Sequence, residues 1–198
     1  MNTDKQENGI QIVRHPGIKD FEPVFEDIPS AGPNWMVIQR RIDGWDALNT
    51  LNAHWYKEGF GDHESEFWLG CQKLHEVTTS RRHELYVQIV ISDGGTAYAR
   101  YDDFVVGSED EGYALRSLGA YSGDAGDALS ASVNRRFEHI GSHYAGVFYR
   151  TFYWSWWATF EFLLHFPHES GGIWWRIWNG MARRSLKSCK VLIRPFQN

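Results

Sequence analysis

A dense run of aromatic residues is the part of this sequence whose side chains are best suited to binding chemistry. Residues 148–157 read Phe-Tyr-Arg-Thr-Phe-Tyr-Trp-Ser-Trp-Trp. Aromatic ring faces pack against the C–H surfaces of sugars, and Tyr, Trp and Arg are frequent anchors of protein interfaces. Two interpretations stay open from the residues alone, a ligand-binding surface and a stretch of aromatic core packing.

Histidines form the second group with chemical potential. His139 and His143 are spaced i, i+4, which on a helix places two imidazoles on one face, as in zinc proteases. That enzyme pattern also needs a glutamate directly after the first histidine as general base, and Ile140 stands there. A weak two-histidine metal site beside Glu138 is one interpretation, and surface or hydrogen-bonded histidines are the other.

Motifs for covalent or phosphate chemistry are missing from the sequence. It contains neither Gly-x-Ser-x-Gly nor a phosphate-binding glycine loop. We therefore predict that the protein is not an enzyme and needs no cofactor. The formal net charge of −5 gives no electrostatic support for nucleic-acid binding.

The two cysteines, Cys71 and Cys189, bear on the cellular compartment. Extracellular domains usually carry several disulfides, and nothing in the sequence shows that these two thiols meet. We expect them to be reduced and buried. The polar N-terminus lacks the apolar core of a signal peptide, which fits either a mature fragment or a protein that is not exported by the usual route. No stretch is long and apolar enough to predict a membrane span.

The elements that would position these groups follow from the periodicity of apolar residues. Alternation from Trp35 to Arg40 predicts a half-buried strand. After Asp43 the period changes to three or four residues, which predicts a helix that Gly59 ends. Its apolar face consists of Trp45, Leu48, Leu51 and Trp55.

An antiparallel pair is the main predicted feature of the middle of the chain. Glu84–Ile91 alternates, with Leu85, Val87, Ile89 and Ile91 on one face, and a turn at 93–95 leads into a strand over Thr96–Val106. Strands mixed with short helices, without a βαβ rhythm, predict an α+β fold with an antiparallel sheet. The other predicted elements are a strand at Glu66–Gly70, a helix at Gln72–Thr78, a strand at Tyr113–Leu118 and a strand at Val191–Ile193.

Several ordered strings together resemble the fibrinogen C-terminal globular domain family. They are Trp35–Gly44, Glu58–Asp62, Glu66–Gly70, Thr96–Tyr101, Tyr121–Leu129 and Ile193–Phe196. The resemblance covers about Gly9 to Phe196. It implies a flexible tail at 1–8 and one α+β domain at 9–196, with a central antiparallel sheet, short helices and an irregular ligand-binding subdomain.

The resemblance implies extracellular, non-catalytic recognition of a glycan, such as an acetylated sugar, or of a protein ligand, as in innate immunity or cell-surface signalling. The alternative is a degenerate fibrinogen-like interaction or structural module that binds neither calcium nor sugar. The oligomeric state stays open. If the pocket is retained, we expect it at His143, Tyr144, Tyr149, Trp156, Trp157 and His168.

The family's calcium loop corresponds here to Asn134–Glu138, which has Asn134 and Arg136 where the family has ligand carboxylates. Calcium needs six to eight oxygen ligands. A guanidinium repels the ion and offers no acceptor atom, so we predict no metal at this position. The family's two disulfides are also missing, which leaves three readings: a cytosolic location, compensation by the aromatic segment, or a decaying gene product.

The same strings imply structural roles for their most recognisable residues. Large aromatics dominate burial energies, and glycines allow positive φ or close approach of the backbone. We expect Asp124 and Asp127 to serve the turn that contains them. The expected core aromatics are Trp35, Trp55, Phe67, Trp68, Trp175 and Trp178, and the expected special glycines are Gly59, Gly61, Gly123 and Gly126.

Overall fold

The computed structural model describes residues 22–42, 53–91, 94–137 and 186–197. These residues form ten strands and two helices, which confirms the predicted α+β fold with an antiparallel sheet. The strands are β1 (Phe25–Ile28), β2 (Gly32–Arg41), β3 (Phe60–Gly61), β4 (Phe67–Trp68), β5 (His83–Ile91), β6 (Thr96–Tyr101), β7 (Val105–Val106), β8 (Leu115–Ser117), β9 (Tyr121–Gly123) and β10 (Leu186–Pro195). The helices are α1 (Ala53–Glu58) and α2 (Cys71–Ser80), and a single 3-10 turn covers Ser130–Ser132.

One eight-stranded sheet organises the described residues. Its order is β3-β4-β2-β10-β5-β6-β9, with β1 paired to β2 beside this path. Every pairing in it is antiparallel. The strand β10 comes last among the described strands but lies in the centre, between β2 and β5.

The sheet buries apolar side chains on both faces. On one face, Leu85, Val87 and Ile89 of β5 join a large cluster that includes Leu74 and Val77 of α2. On the other face, a smaller cluster contains Trp35, Val37, Phe67, Tyr86 and Leu192. The alternation of β5 therefore predicted correctly which residues share a face.

Burial on both faces explains why β2 is buried from Trp35 to Ile38, because Trp35 and Val37 join the smaller cluster and Met36 and Ile38 the larger one. A bulge then determines the orientation of Gln39. Across the β2–β10 pairing, Gln39 lies opposite Val191 and Val37 lies opposite Leu192, so Ile38 is an extra residue. An extra residue shifts the inside–outside alternation of a strand by one. Gln39 consequently turns inward, where its side-chain amide contacts the Cys189 sulfur at 3.6 Å.

Three predictions about elements are wrong in detail. Trp55 was expected in the core but is 47% exposed, because the neighbouring Tyr56 is the α1 residue that turns inward, at 3% exposed. The predicted strand over Thr96–Val106 divides into β6 and β7. At that break, the Asp102 carboxylate accepts a hydrogen bond from the Ala120 N–H at 2.6 Å, which fixes the chain in a bend.

The strand predicted at Tyr113–Leu118 is shorter and pairs elsewhere. It covers only Leu115–Ser117 and pairs with β7 in a separate two-stranded sheet. Tyr113 has a φ of 49°, which is outside the strand region, and this left-handed residue delays the start of β8.

The expected core positions and special glycines agree with the structure where it describes them. Trp35, Phe67 and Trp68 are buried, whereas Trp175 and Trp178 lie outside the described residues. Gly59, Gly61, Gly123 and Gly126 all have positive φ. At Gly61 an added Cβ would lie 2.2 Å from the Glu66 carbonyl oxygen, so only glycine fits the β3–β4 turn.

Candidate functional site

The six pocket residues expected from the sequence lie outside the described residues and stay predictions. They are His143, Tyr144, Tyr149, Trp156, Trp157 and His168. The aromatic run at 148–157, His139 and Glu138 also lie outside this part of the chain. Among the described residues, the face of the sheet that carries Trp35 and Tyr86 has the most concentrated binding chemistry.

A buried carboxylate organises one end of this face. Glu84 of β5 lies directly opposite Arg194 of β10, and its side chain is 1% exposed. Arg194 donates to Glu84 Oε1 from Nε at 2.9 Å and from Nη2 at 2.7 Å. Arg100 of β6 donates to the other oxygen from Nε at 2.6 Å, so two guanidiniums share one carboxylate.

An aromatic stack adjoins this ionic cluster. The Trp35 ring centre lies 4.3 Å from the guanidinium carbon of Arg194 and 5.3 Å from the ring centre of Tyr86. Tyr86 stacks in turn on Tyr98, with ring centres 5.3 Å apart and planes 4° apart. The stack thus leads from the core to Tyr98, which is half-buried. Burial raises the pKa of Tyr86, and this tyrosine stays a neutral hydroxyl at physiological pH.

A second shared carboxylate lies farther along the same face. Glu26 of β1 accepts hydrogen bonds from Arg40 Nη2 and from Lys190 Nζ, each at 2.7 Å. Burial acts to raise the pKa of Glu26, but the hydrogen bonds and charges of Lys190 and Arg40 outweigh burial and lower it. Glu26 is therefore ionised at neutral pH and joins β1 to β2 and β10.

We call Gln88, Tyr98, Arg100 and Lys190 the sheet-face surface, because all four are half-buried on this side of the sheet. Gln88 lies opposite Tyr98 on β6 and opposite Lys190 on β10. The carboxylate of Asp124 borders the surface, where it accepts the Tyr98 N–H at 2.8 Å. An aromatic face, a guanidinium and an ammonium give this surface the chemistry of a binding site.

The glycine-rich bend after β9 is held by its two aspartates, as the sequence predicted. Asp127 Oδ1 accepts the Tyr101 hydroxyl at 2.9 Å and the backbone N–H of Ser130 at 3.0 Å. Burial acts to raise the pKa of Asp127, but the hydrogen bonds from Ser130, Tyr101 and Leu129 prevail and lower it. Both Asp124 and Asp127 thus use carboxylate oxygens to fix backbone and neighbouring strands.

The stretch that corresponds to the family's calcium loop is docked on the core. The Asn134 N–H donates to the Leu115 carbonyl at 2.7 Å, and the Leu115 N–H donates to the Arg135 carbonyl at 3.0 Å. The Phe137 N–H donates to the Gly112 carbonyl at 2.8 Å. These bonds fix the backbone of the stretch and engage the Arg135 carbonyl, an oxygen of the kind that binds calcium.

The side chains of the same stretch are also incompatible with a calcium site. The Phe137 ring packs 5.9 Å from Tyr56 and stacks 6.3 Å from Trp68, between ring centres. The Arg136 side chain lies against Gly112. In the described ranges, no three His, Cys, Asp or Glu side chains cluster as metal ligands. Of the stretch Asn134–Glu138, residues 134–137 are described, and their side chains do not fit the ion that the family resemblance implies.

The two cysteines form no disulfide, and both are buried, as expected. Burial raises the pKa of the Cys71 thiol well above its ordinary value. Burial also raises the pKa of Cys189, to about 12. Neither thiol is therefore a nucleophile at neutral pH.

Comparison with known proteins decides the family. Residues 1–152 match the family described as fibrinogen beta and gamma chains, C-terminal globular domain. The chain belongs to this family. The fibrinogen-like globe domain of human ANGPTL6 superposes on this fibrinogen C-terminal domain with a TM-score of 0.76 at 27% sequence identity, covering 98% of this chain and 91% of that one.

Two longer human proteins contain similar sequence. Fibrinogen C domain-containing protein 1 is 36% identical over 218 residues, which cover 98% of this chain and 45% of that protein. Angiopoietin-related protein 6 is 35% identical over 180 residues, which cover 84% of this chain and 38% of that protein. The chain thus spans less than half the length of these two relatives. The described helices are all too short or too polar to cross a membrane.

Proposed function

We propose that this chain is a non-catalytic recognition domain that acts outside the cell and binds an acetylated sugar or a protein ligand. Family membership is the observation that carries the proposal. Neither human relative described above is named as an enzyme. The domain extends over 9–196 in this proposal, with 1–8 as its tail.

The ligand pocket of this proposal consists of His143, Tyr144, Tyr149, Trp156, Trp157 and His168. Tyrosine and tryptophan faces suit the C–H surface of a pyranose ring. A histidine N–H can donate to the carbonyl oxygen of an acetyl group. The sequence therefore offers both the apolar and the polar contacts that an acetylated sugar requires.

One observation favours the second candidate, an interaction or structural module without calcium or sugar binding. The stretch at Asn134–Phe137 pairs with Gly112–Leu115 and does not fit calcium. A family member that departs from the family at this stretch can also have lost the sugar pocket. The two candidates differ in a property that is simple to measure, which is the binding of a free acetylated sugar.

The experiment is a melting curve of the purified chain with increasing N-acetylglucosamine. A ligand at a hundredfold excess over its Kd stabilises the folded state by about 2.7 kcal/mol. We expect the melting temperature to rise with the sugar and the rise to disappear in Trp156→Ala/Trp157→Ala. The matched control is Trp55→Ala, which removes an exposed tryptophan of α1.

Each other result rejects part of the proposal. A melting temperature that is unchanged at every sugar concentration would reject the sugar arm and favour the interaction module. A rise that persists in the double variant would place the pocket elsewhere. Loss of the rise in Trp55→Ala alone would move the site to the neighbourhood of α1.

A further inference from the structure

We propose that the sheet-face surface of Gln88, Tyr98, Arg100 and Lys190 is a second binding site, for an acidic segment of a partner protein. It shares no residue with the pocket of the proposed function and does not rest on it.

Arg100 is held ready for an incoming carboxylate. Its Nε and Nη2 lie 2.6 Å and 2.5 Å from Glu84 Oε2, while its side chain keeps 35% exposure. Glu84 is itself fixed by Arg194, whose side chain is 6% exposed. An arginine that is already ordered loses little conformational entropy when it binds a partner, so more of its interaction energy appears as affinity.

Tyr98 provides a rigid aromatic contact beside this guanidinium. One face of its ring rests on Tyr86, which rests on the buried Trp35. The backbone of Tyr98 is fixed as well, by the hydrogen bond from its N–H to Asp124. Tyrosine and arginine are the residue types that most often dominate interface energies, above all when they are packed in place.

The strand register sets the spacing between the two cations. Lys190 and Tyr98 both lie opposite Gln88, so they occupy one row across three strands. Adjacent strands are about 4.8 Å apart, which separates the backbones of Lys190 and Tyr98 by about 10 Å. Arg100 is two residues from Tyr98, or about 7 Å along β6. A ligand that reaches both cations must carry at least two separated carboxylates.

The balance of charge on this face indicates that the partner segment is negatively charged. Among the described residues of this face, the four cations Arg40, Arg100, Lys190 and Arg194 lie near three carboxylates, those of Glu26, Glu84 and Asp124. The chain as a whole carries −5, so a cationic excess here is local. Complementary charge steers encounter and selects partners. A peptide with two acidic side chains fits two separated cations better than a sugar with a single carboxylate.

The test measures binding of a fluorescein-labelled hexaglutamate peptide to the full chain by anisotropy, with hexalysine as the charge control. We expect saturable binding of hexaglutamate only. Tyr98→Ala and Lys190→Ala should each weaken it by about tenfold, the effect of losing one interface anchor. Lys187→Ala is the matched control, since it removes an exposed lysine from the same strand. It should change the affinity by less than about twofold.

If Tyr98→Ala lowers the melting temperature, its loss of binding could result from unfolding. Gln88→Glu is the second variant for that case. It places a negative charge in the middle of the surface and should abolish hexaglutamate binding while the fold persists. Equal weakening by Lys187→Ala and Lys190→Ala would reduce the binding to non-specific attraction and overturn the proposal. Absence of hexaglutamate binding, or binding of sialyllactose in its place, would overturn it too.

Discussion

Glu84 and Arg194 face each other across β5 and β10 and are joined by two hydrogen bonds, of 2.9 Å and 2.7 Å, from Arg194 Nε and Nη2 to Glu84 Oε1. The two residues are 110 positions apart in the chain. Arg194 also donates from Nη1 to the Pro33 carbonyl at 3.0 Å. This single ion pair therefore connects the middle of the chain to its last strand and to the start of β2.

Glu84→Gln should destabilise the domain strongly. The substitution leaves the guanidinium of Arg194 buried without its counter-charge, and breaking such a pair costs about 3–5 kcal/mol. The free energy of unfolding in urea is the measurement. Glu109→Gln is the control, because the Lys57–Glu109 pair lies on the surface and should contribute nothing measurable. Equal effects of the two substitutions would show that Glu84 is solvated.

Acidification should weaken the fold through His83. The side chain is buried, and this burial lowers the pKa of His83 below its ordinary 6.5, against an opposing hydrogen bond to the Arg81 carbonyl. A lowered folded-state pKa means that the unfolded chain binds the proton more readily. Stability is then full above pH 6.5 and falls as the pH decreases toward the folded-state pKa.

The measurement is the melting temperature between pH 7.5 and 5.5, for the wild type and for His83→Asn. Asparagine keeps a donor for the Arg81 carbonyl but does not titrate. The melting temperature of His83→Asn should therefore fall less with decreasing pH than that of the wild type. Glu26 and Asp127, whose pKa values are lowered, contribute the same sign at lower pH, below their ordinary values of 4.5 and 3.8. Identical slopes in the two proteins would exclude His83 as the cause.

Gly61→Ala and Gly94→Ala should separate backbone strain from steric collision. Both glycines have positive φ, 95° and 90°. A Cβ at Gly61 meets the Glu66 carbonyl oxygen at 2.2 Å, whereas a Cβ at Gly94 has no atom within 4 Å. Gly94→Ala should therefore cost only the left-handed strain, about 1–2 kcal/mol, and Gly61→Ala clearly more. The measurement is the denaturant midpoint of each variant. Equal decreases of the midpoint in Gly61→Ala and Gly94→Ala would show that the Cβ at position 61 causes no collision.

Local periodicity predicted much of this fold. The alternation of Leu85, Val87 and Ile89 identified β5 and its buried face, and the turn after Ile91 identified β6 as its partner. Trp55 shows the limit of this reasoning. Of the predicted helix, the described part is α1, and its buried residue is Tyr56 and not Trp55. The two positions differ by 100° around the helix axis, and how α1 docks decides which of them turns inward.

Pairings between distant residues could not be predicted from the sequence. Glu84 and Arg194 each resemble an ordinary surface charge, and their burial depends on the pairing of β5 with β10, two strands that lie far apart in the chain. The calcium prediction depended instead on a resemblance at Asn134 and Arg136. The described residues add a contact that holds this stretch on the core, the packing of Phe137 against Tyr56 and Trp68.

The melting temperature of the wild type should be the same with calcium and with a chelator.

Phe137→Ala should lower the melting temperature, because the half-buried ring contacts Tyr56 and Trp68. The free energy of unfolding should fall by about 2 kcal/mol, roughly half the cost of truncating a fully buried phenylalanine. Arg136→Ala is the control, since this exposed side chain lies on Gly112 outside that cluster. A calcium-dependent rise in the wild type would show that the ion binds after all.

The central position of β10 has a consequence for folding during translation. Cells make chains from the N-terminus at about 5–20 residues per second, so β2 and β5 exist for many seconds before the strand that separates them. Until then each exposes one edge and its apolar side chains to the surroundings. Translation that stops early would yield two unpaired strand edges in place of a smaller domain. Such edges readily recruit other chains, which makes late truncations of this protein prone to aggregate.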